Sequence, residues 1–306
     1  MKKQKVLVLA GPTASGKTAL SIELAKRFNG EIINGDAFQV YKGLDIGTAK
    51  VTTEEMEGIP HHLLSLREPS EAFSVAEYQK LVRMTIEDIT SRGHVPILVG
   101  GTGLYIQAVL YDFQFVEQAV DTELRQQLEQ LTSEELWGQL SEQDPEAAQE
   151  IHPNNKQRVV RALERVIASG VNKQEAEQNR GKDTLYSFVI FGLERDRQEL
   201  YQRINTRVYL MIANGLVEEV KELLKRTPKD AQAFQAIGYK EVISHLEGRL
   251  THEEMIAEIQ QNSRRYAKRQ FTYFRNKLPV EWVHPEEDYV KIVERCNEFL
   301  KGNENK

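Results

Sequence analysis

The residues best suited to chemistry begin with an octapeptide near the start of the chain, Gly11–Thr18 (GPTASGKT). It matches the P-loop pattern, in which Gly, four residues and Gly are followed by Lys and Ser or Thr. The backbone N–H groups of such a loop converge on phosphate oxygens, and the helix that follows adds the positive end of its dipole. We expect Lys17 to bridge the outer phosphoryl oxygens and the Thr18 hydroxyl to ligate Mg²⁺. The predicted phosphate-binding residues are Gly11, Pro12, Thr13, Ala14, Ser15, Gly16, Lys17 and Thr18.

A P-loop alone does not identify the phosphate compound that it holds. P-loop ATPases and GTPases commonly carry an Asp at the end of a second apolar strand, where it helps to hold Mg²⁺. The best such strand here, Val95–Val99, runs instead into Gly100 and Gly101. This difference favours a transferase over a motor or a switch.

Two more polar residues stand where ligands of parallel sheets usually bind. Asp36 follows a predicted strand over Glu31–Asn34, and Thr102 opens a predicted helix after two glycines. Both positions fall at the carboxyl edge of the predicted sheet. Taken alone, Asp36 could cap a helix or support Mg²⁺, and Thr102 could cap its helix or present its hydroxyl to a substrate. Neither residue decides the reaction by itself.

The elements around these residues alternate between strands and helices. Apolar runs predict strands at Lys5–Ala10, Val95–Val99 and Ser187–Leu193, in addition to Glu31–Asn34. Helical periodicity starts at Lys17, with Gly30 as the predicted stop, and recurs at Val75–Thr90 and from Leu104. A capping box formed by Thr251 and Glu254 predicts a long helix near the C-terminus. We therefore expect an α/β fold with a P-loop-type parallel sheet flanked by helices.

The middle of the chain breaks this alternation. Strand signals stop after about Phe115 for nearly seventy residues, and only helices are predicted. One helix is capped by Asp121, a second begins at Asp144-Pro145, and a third covers Asn155–Ser169 and closes at Gly170. We predict an inserted all-helical domain, residues 116–183, within a catalytic core formed by residues 1–115 and 184–306.

Composition places the chain among soluble globular proteins. Of its 306 residues, 40% are hydrophobic and 28% are charged. The apolar run before Gly11 is too short for a signal peptide or a membrane span, so we expect a cytoplasmic protein without membrane attachment. The only cysteine, Cys296, excludes an intramolecular disulfide and a cysteine-based metal site. His61 and His62 are adjacent, and because neighbouring residues rarely ligate the same ion, we expect structural roles for both.

The charge distribution matters more than the net charge of −6. The segment 264–277 contains six basic residues, four aromatic residues and no acidic residue. A protein that is acidic overall can still bind phosphates locally through such a stripe. Nucleic acid therefore remains a possible partner.

Several ordered motifs together resemble the tRNA dimethylallyltransferase (isopentenyltransferase) family. The likeness spans about residues 5 to 280 and is far more specific than the P-loop alone. Beyond Gly11–Thr18, its motifs are Asp36–Lys50, Gly100–Tyr105, His152–Asn154, Gln157–Arg161, Gln202–Arg207, Ile237–Glu241 and Lys268–Gln270.

The resemblance implies transfer of a dimethylallyl group from dimethylallyl diphosphate to N6 of the adenosine just 3′ of the anticodon. The tRNAs concerned read codons that begin with U, and diphosphate is released. By this likeness the catalytic residues are Asp36 as general base, Thr102 near the reacting centre, and Lys17. Arg207 joins the loop amides, Lys17 and Mg²⁺ in neutralising the departing diphosphate. Nothing in the sequence indicates an obligate dimer, so we expect a monomer.

The resemblance also implies a tRNA-binding surface, in which the inserted domain holds the anticodon stem. Arg158, Arg161 and Arg165 share one helix face by their spacing, although from the residues alone this face could simply be solvated. The family commonly has Ser where this chain has Ala37, and an acidic residue where it has Ser65. The predicted tRNA-binding residues are Asp36, Ala37, Phe38, Gln39, Thr102, Arg125, Gln157, Arg158, Val159, Val160, Arg161, Lys268, Arg269 and Gln270.

Three other functions share part of this pattern. A P-loop kinase for nucleosides or small molecules would not need the inserted helices or the basic stripe. An enzyme that prenylates free adenine nucleotides would not need the basic helical regions. A non-catalytic RNA-binding ATPase would be expected to carry the Mg²⁺ aspartate that is missing after Val95–Val99.

Overall fold

The computed structural model describes residues 3–115, 122–178 and 180–302. Its elements form two compact units, one containing the chain up to Leu110 and from Leu185 onward, the other Tyr111–Thr184. The strands of the first unit are β1 (Lys5–Ala10), β2 (Gly30–Asn34), β3 (His61–His62), β4 (Val95–Gly100), β7 (Ser187–Leu193) and β8 (Val280–Val283). Its helices are α1 (Lys17–Phe28), α2 (Val75–Ser91), α3 (Gly103–Leu110), α9 (Arg197–Ala213), α10 (Leu216–Leu224), α11 (Tyr239–Leu246), α12 (His252–Lys277) and α13 (Tyr289–Lys301), with a short 3-10 helix at Gln232–Gln235.

The six strands of the first unit form one parallel sheet in the order β3-β2-β4-β1-β7-β8. β1 lies between β4 and β7, with Ala10 in register with Gly100 and Gly192. Its apolar run Val6–Ala10 is fully buried, as expected for a central strand covered on both faces. The predicted fold class is therefore confirmed, while β3 and β8 are strands that the sequence patterns did not indicate.

Several predicted helix boundaries are seen in the side-chain caps. Ser74 accepts a hydrogen bond from the Glu77 N–H at the start of α2, and Thr251 and Glu254 form the predicted capping box of α12. The end of α1 differs from the prediction. Asn29 takes the left-handed conformation that ends the helix, and Gly30 already belongs to β2. A side chain at Gly30 would approach Ile97 Cδ1 at 2.7 Å, so glycine is required there by packing within the sheet.

The second unit contains α4 (Thr122–Gln130), α5 (Ser133–Gln143), α6 (Pro145–Glu150), α7 (Lys156–Ser169) and α8 (Lys173–Gln178). Asp144 caps α6, and Gly170 ends α7 in the left-handed conformation, as predicted. The predicted cap Asp121 and the predicted boundary at residue 116 lie outside the described residues. The unit also has two antiparallel strands, β5 (Tyr111–Phe113) and β6 (Arg180–Thr184), which the sequence did not predict. It has a core of its own, which includes Leu136, Leu140, Val159 and Leu163.

Within the three described ranges, no helix has both the length and the apolar composition needed to cross a bilayer.

Candidate active site

Three neighbouring strands end at one place in the first unit. β1 leads into the P-loop, β2 leads to Asp36, and β4 leads to Gly101 and Thr102. β4 pairs with both β1 and β2, so the carboxyl ends of the three strands are adjacent. This is the edge at which open parallel sheets bind their ligands.

The P-loop has the backbone conformation that its glycines allow. Gly16 has φ of 102° and immediately precedes α1, and Ala14 has φ of 64°, in the left-handed region that side chains other than glycine rarely adopt. The Lys17 ammonium donates to the carbonyls of Gly11 and Pro12, at 2.9 and 2.6 Å. The Lys17 side chain thus lies over the P-loop, where its charge is expected to bind phosphate.

Two cations and one carboxylate interact at this loop. Burial and, to a smaller extent, the charge of Arg207 lower the pKa of Lys17 to about 7, against the opposing effect of the negative charge of Asp36. Burial likewise lowers the pKa of Arg207, again against the charge of Asp36. Two cations held close together repel each other, and a bound anion would relieve that repulsion. The structure therefore brings together Lys17, Asp36 and Arg207 as predicted.

Two polar atoms at this site are buried without a hydrogen-bond partner among the described residues. They are Ser15 Oγ, in the P-loop, and Arg207 Nε, on α9. A buried donor without a partner is costly, and a bound phosphate oxygen would satisfy both atoms. Together with the loop amides, they fit a diphosphate group.

The outer half of the P-loop is held by arginines that had no predicted role. Arg203 Nε donates to the Ala14 carbonyl at 3.0 Å, and Arg195 Nε donates to the Ser15 carbonyl at 3.1 Å. Arg195 is buried and also pairs with Glu199 and Glu286. The side chain of Ala14 packs with Leu200, Ile204 and Ala267, which come from α9 and α12. The loop therefore rests on a support assembled from distant parts of the chain.

Asp36 is positioned by a tight local turn. One carboxylate oxygen accepts from the Phe38 N–H at 2.8 Å, and the Asp36 N–H donates to Asn34 Oδ1 at 3.0 Å. Asn34 is itself buried and donates to the carbonyls of Asp36 and Leu63. Asp36 is only half-buried, so its carboxylate can meet a substrate.

Thr102 lies beside the segment that follows Asp36. Its hydroxyl accepts from the Ala37 N–H at 3.3 Å, and its own N–H donates to the Gly35 carbonyl at 3.3 Å. The neighbouring Gly101 has no room for a side chain, because a Cβ there would lie 2.1 Å from Gln270 Nε2. Asp36 and Thr102, which are 66 residues apart in sequence, are thereby joined in one site.

Gln270 has a different role from the one predicted. Its side chain is buried and donates to the Gly101 carbonyl at 2.8 Å. A buried amide engaged with the backbone does not present a surface to RNA, so the predicted tRNA contact of its side chain is wrong. Gln270 instead holds the turn before Thr102.

Tyr266 was not identified as a site residue from the sequence. Burial raises its pKa to about 12, helped by the charge of Asp36, while hydrogen bonding to Thr102 and Gln270 acts in the opposite direction. The phenol therefore belongs to the group around Asp36 and Thr102. Its only sequence signal was its place among the aromatic residues of the basic segment 264–277.

A cavity next to the P-loop extends the site along β2 and β4. Its polar lining includes Thr18, Asn34 and Gln39, and its apolar lining includes Ala49 and Val51. Gln39 is half-buried and donates to the Thr48 carbonyl at 3.1 Å. The predicted residues Phe38 and Ala37 are also half-buried at the same edge.

The predicted tRNA-binding residues of α7 separate into two groups. Gln157, Arg158 and Arg161 are exposed. Val159 and Val160 are buried in the core of the second unit. The tRNA contacts predicted for these two valine side chains are therefore wrong, because burial in the core leaves no surface for RNA.

Other basic residues of the second unit have acidic partners. Arg125 is exposed and lies 3.2 Å from Glu129 and 3.6 Å from Glu164. Arg165, predicted on the same helix face as Arg158, pairs with buried Asp144 at 2.9 Å. Arg165 thus stabilises its own unit, and the exposed basic pair on this helix is Arg158 and Arg161.

The basic segment of α12 is also divided. Lys268 and Arg269 are exposed, as their predicted role requires. Arg275 pairs with Glu194 and stacks on Phe271 and Trp282. The exposed basic surface of this helix therefore includes Lys268 and Arg269, while the exposed Arg275 is already engaged with an acidic partner and two aromatic rings.

The adjacent histidines have structural partners. His61 Nδ1 lies 2.8 Å from the Ile59 carbonyl, and His62 Nε2 lies 2.7 Å from Glu31 Oε2. Glu31 is buried and also binds Arg92 through two hydrogen bonds. These contacts join β2, β3 and the end of α2 at one edge of the sheet.

Comparisons with known proteins agree with this geometry. The model of the family described as IPP transferase matches residues 39–277. A tRNA dimethylallyltransferase from Anoxybacillus flavithermus is 54% identical over 99% of this chain and 97% of its own length. A tRNA isopentenylpyrophosphate transferase from Bacillus halodurans has a TM-score of 0.74 at 46% identity, covering 98% of this chain and 96% of its own. A eukaryotic dimethylallyltransferase acting on tRNA has a TM-score of 0.82 at 31% identity, covering 99% of this chain and 81% of its own. The chain therefore belongs to the IPP transferase family.

Proposed function

We propose that this protein transfers a dimethylallyl group from dimethylallyl diphosphate to N6 of an adenosine in tRNA. The observation that carries the proposal is one carboxylate, Asp36, interacting with two cations, Lys17 and Arg207, at a phosphate-binding loop. Relatives that align with nearly the whole chain are named tRNA dimethylallyltransferases. The target we propose is the adenosine just 3′ of the anticodon, in tRNAs that read codons beginning with U.

Asp36 acts on the acceptor. An adenine amine is a poor nucleophile because its lone pair is delocalised into the ring. A carboxylate that accepts a hydrogen bond from this N–H directs the lone pair to the allylic carbon and takes the proton as the bond forms. The C1–N6 bond forms, the C1–O bond of the prenyl diphosphate breaks, and the N6 proton passes to Asp36.

The P-loop acts on the leaving group. Diphosphate departs with the electron pair of the C1–O bond, so negative charge grows on it in the transition state. Lys17, Arg207 and the loop amides are positioned to stabilise that charge. The two buried donors, Ser15 Oγ and Arg207 Nε, gain an acceptor when diphosphate binds.

The same site suits Mg²⁺ carried with the substrate. The exposed Thr18 hydroxyl lies at the start of α1 and lines the cavity there. In the described part of the chain no group of three or more His, Cys, Asp or Glu is arranged to hold a metal ion. An ion bound here would take its other ligands from diphosphate and water, as Mg²⁺ usually does. When bound, Mg²⁺ would neutralise part of the diphosphate charge.

The target adenosine must leave its stack to reach Asp36. An anticodon loop makes that extrusion less costly than a duplex would. We propose that exposed Arg158 and Arg161, and separately Lys268 and Arg269, bind tRNA phosphates. We further propose that the protein acts as a monomer, for which light scattering should give a mass near 35.1 kDa.

Parallel incubations with different acceptors distinguish this function from the alternative functions. The purified protein is mixed with radiolabelled dimethylallyl diphosphate and Mg²⁺, together with bulk tRNA, AMP or ATP. We expect label in tRNA alone, and we expect EDTA to abolish it. Label in AMP or ATP would establish a nucleotide prenyltransferase, and ATP hydrolysis stimulated by RNA without label transfer would establish an ATPase.

A further inference from the structure

The segment Asp45–Lys50 (DIGTAK) is the part of the site region whose role is still unexplained. Its carbonyl at Thr48 holds the Gln39 side chain, and Ala49 lines the cavity beside Thr18. The segment has no regular secondary structure, and its internal backbone hydrogen bonds run from the Lys50 N–H to the Asp45 carbonyl at 2.9 Å and from the Ala49 N–H to the Ile46 carbonyl at 3.0 Å. The N–H groups of Asp45, Ile46 and Gly47 are not used in these turns and take a partner from outside the segment.

One carboxylate binds the first half of this segment. Glu219 Oε2 accepts from the N–H groups of Asp45 and Ile46, at 3.0 and 2.7 Å, and Oε1 accepts from the Gly47 N–H at 3.2 Å. Glu219 belongs to α10, more than 170 residues away in sequence. Three backbone donors on one ionised carboxylate form a strong and directional anchor, because hydrogen bonds to a charged acceptor are stronger than those between neutral groups.

A tyrosine orients that carboxylate. The Tyr239 hydroxyl donates to Glu219 Oε1 at 2.6 Å. Burial raises the pKa of Tyr239, helped by the charge of Glu219, so the phenol stays protonated and remains a donor. The Tyr239 ring also packs against Gly47, where a Cβ would lie 2.5 Å from a ring carbon. Gly47 is therefore the residue that lets the segment approach close enough to be bound.

A buried lysine binds the other end. The Lys50 side chain is only 7% exposed, and its ammonium donates to the Tyr41 carbonyl, Asp45 Oδ1 and Ser65 Oγ at 2.7, 2.6 and 2.9 Å. Lys50 thus ties the end of the segment to its start at Asp45 and to two residues outside it, so the segment is bound at both ends.

We propose that Glu219, oriented by Tyr239, is a positioning residue that fixes Asp45–Lys50 so that Gln39 is held ready to receive the target strand of the RNA. Glu219 acts through the segment and touches no reacting atom. The inference rests on the proposed function, since Gln39 is a proposed RNA contact. It assigns to α10 and α11 a role in RNA affinity but not in diphosphate binding, because the hydrogen bonds of Glu219 go to residues 45–47 and Tyr239 and not to Lys17 or Arg207.

The test compares Glu219→Gln and Tyr239→Phe with Glu218→Gln, a neighbour on α10 whose side chain is 69% exposed. We expect Glu219→Gln to raise the tRNA KM roughly tenfold, the effect of about 1.4 kcal/mol. Tyr239→Phe should act in the same direction but less strongly. Because the Tyr239 hydroxyl acts through Glu219, the double variant should be no worse than Glu219→Gln alone. The Kd for inorganic diphosphate and all parameters of Glu218→Gln should match wild type.

Hydrogen exchange supplies a readout that does not require turnover. The amides of Asp45, Ile46 and Gly47 should exchange faster in Glu219→Gln and not in Glu218→Gln, because Glu219 is their acceptor. Unchanged exchange there, faster exchange with an unchanged tRNA KM, or equal losses of tRNA and diphosphate affinity would each overturn the proposal. If wild type itself forms no prenylated tRNA, the proposed function fails instead. The tRNA Kd, measured directly for each variant, then decides the role of Glu219.

Discussion

At the scale of single residues, Asp36 combines a structural and a chemical task. One of its oxygens accepts from the Phe38 N–H, while its charge interacts with Lys17, Arg207 and Tyr266. The turn fixes the direction of the carboxylate, and half-exposure leaves it accessible to an incoming amine. The same carboxylate is therefore held in a fixed direction and is available to accept a proton.

The base role of Asp36 can be tested with a change that keeps its shape. Asp36→Asn retains an oxygen for the Phe38 N–H but cannot take a proton, so kcat should fall roughly 10²- to 10⁴-fold. The tRNA affinity should change little, because the turn is kept. Single-turnover kinetics and direct tRNA binding measure the two effects separately. A kcat near that of wild type would remove Asp36 from the base role.

Loss of Lys17 should weaken binding of the diphosphate substrate and leave binding of tRNA nearly unchanged. Lys17→Ala removes a cation that the loop holds against Gly11 and Pro12. We expect weaker binding of inorganic diphosphate and a kcat lowered by roughly 10²-fold or more, with tRNA Kd nearly unchanged. Lys26→Ala, at an exposed position on the same helix, is the matched control. Equal diphosphate affinity in both variants would contradict the role of Lys17.

At the scale of elements, the edge of the sheet is held by an ionic cluster on Glu31. This side chain is 2% exposed, binds Arg92 Nη2 at 2.9 Å, and binds His62 as well. Hydrogen bonding to Arg92 lowers the pKa of Glu31 to about 2 in spite of the opposing effect of burial, and His62 contributes in the same direction. The cluster joins β2, which leads to Asp36, to α2 and β3.

Stability should therefore depend on pH through Glu31. Its folded pKa is lower than the unfolded value near 4.5, so its contribution is complete above pH 4.5 and is lost as pH falls towards 2. Glu31→Gln should lower the free energy of unfolding at pH 7 by roughly 1.5–3 kcal/mol. The difference from wild type should shrink between pH 4.5 and pH 3 in urea titrations. Glu222→Gln, exposed on α10, should show neither effect, and a difference as large at pH 3 as at pH 7 would exclude this mechanism.

At the scale of the whole molecule, a protein with a net charge of −6 is proposed to bind a polyanion. Binding must then depend on local basic groups, and the second unit offers Arg158 and Arg161 on the exposed side of α7. Val159 and Leu163 on the opposite side fill the core of that unit. The helix thus has one face in the core and one exposed basic face, on which the proposed tRNA contacts lie.

The salt dependence of tRNA binding tests whether the exposed face of α7 contacts tRNA phosphates. If Arg158 and Arg161 each neutralise a phosphate, their joint replacement by Ala should flatten the slope of log K against log salt by about one or two units. The tRNA KM should rise, and the KM for dimethylallyl diphosphate should hardly change. Joint replacement by Ala of Lys221, on α10, and Lys225, the residue that follows this helix, makes the same change in net charge and should leave the slope unchanged. A wild-type slope in the Arg158/Arg161 variant would place the tRNA surface elsewhere.

Local patterns in the sequence were sufficient for the P-loop, the parallel sheet and most helix boundaries. The reason is that caps, glycine turns and apolar periodicity act over a few residues, as at Thr251 with Glu254 and at Gly170. The family motifs added Asp36, Thr102 and Arg207 as site residues, and the structure brings these together around Lys17.

Only the tertiary structure decided which side chains face a substrate and which face the protein. Gln270 lies in a motif that suggested RNA contact, yet its side chain is buried and donates to the Gly101 carbonyl, because packing against a distant element fixes its direction. Likewise, Arg203 on Ala14, Tyr266 beside Thr102, and Glu219 on Asp45–Gly47 are partners separated by more than 160 residues. Such pairings carry no local signal in a sequence, because they arise only when the sheet and its helices bring remote segments to the same edge.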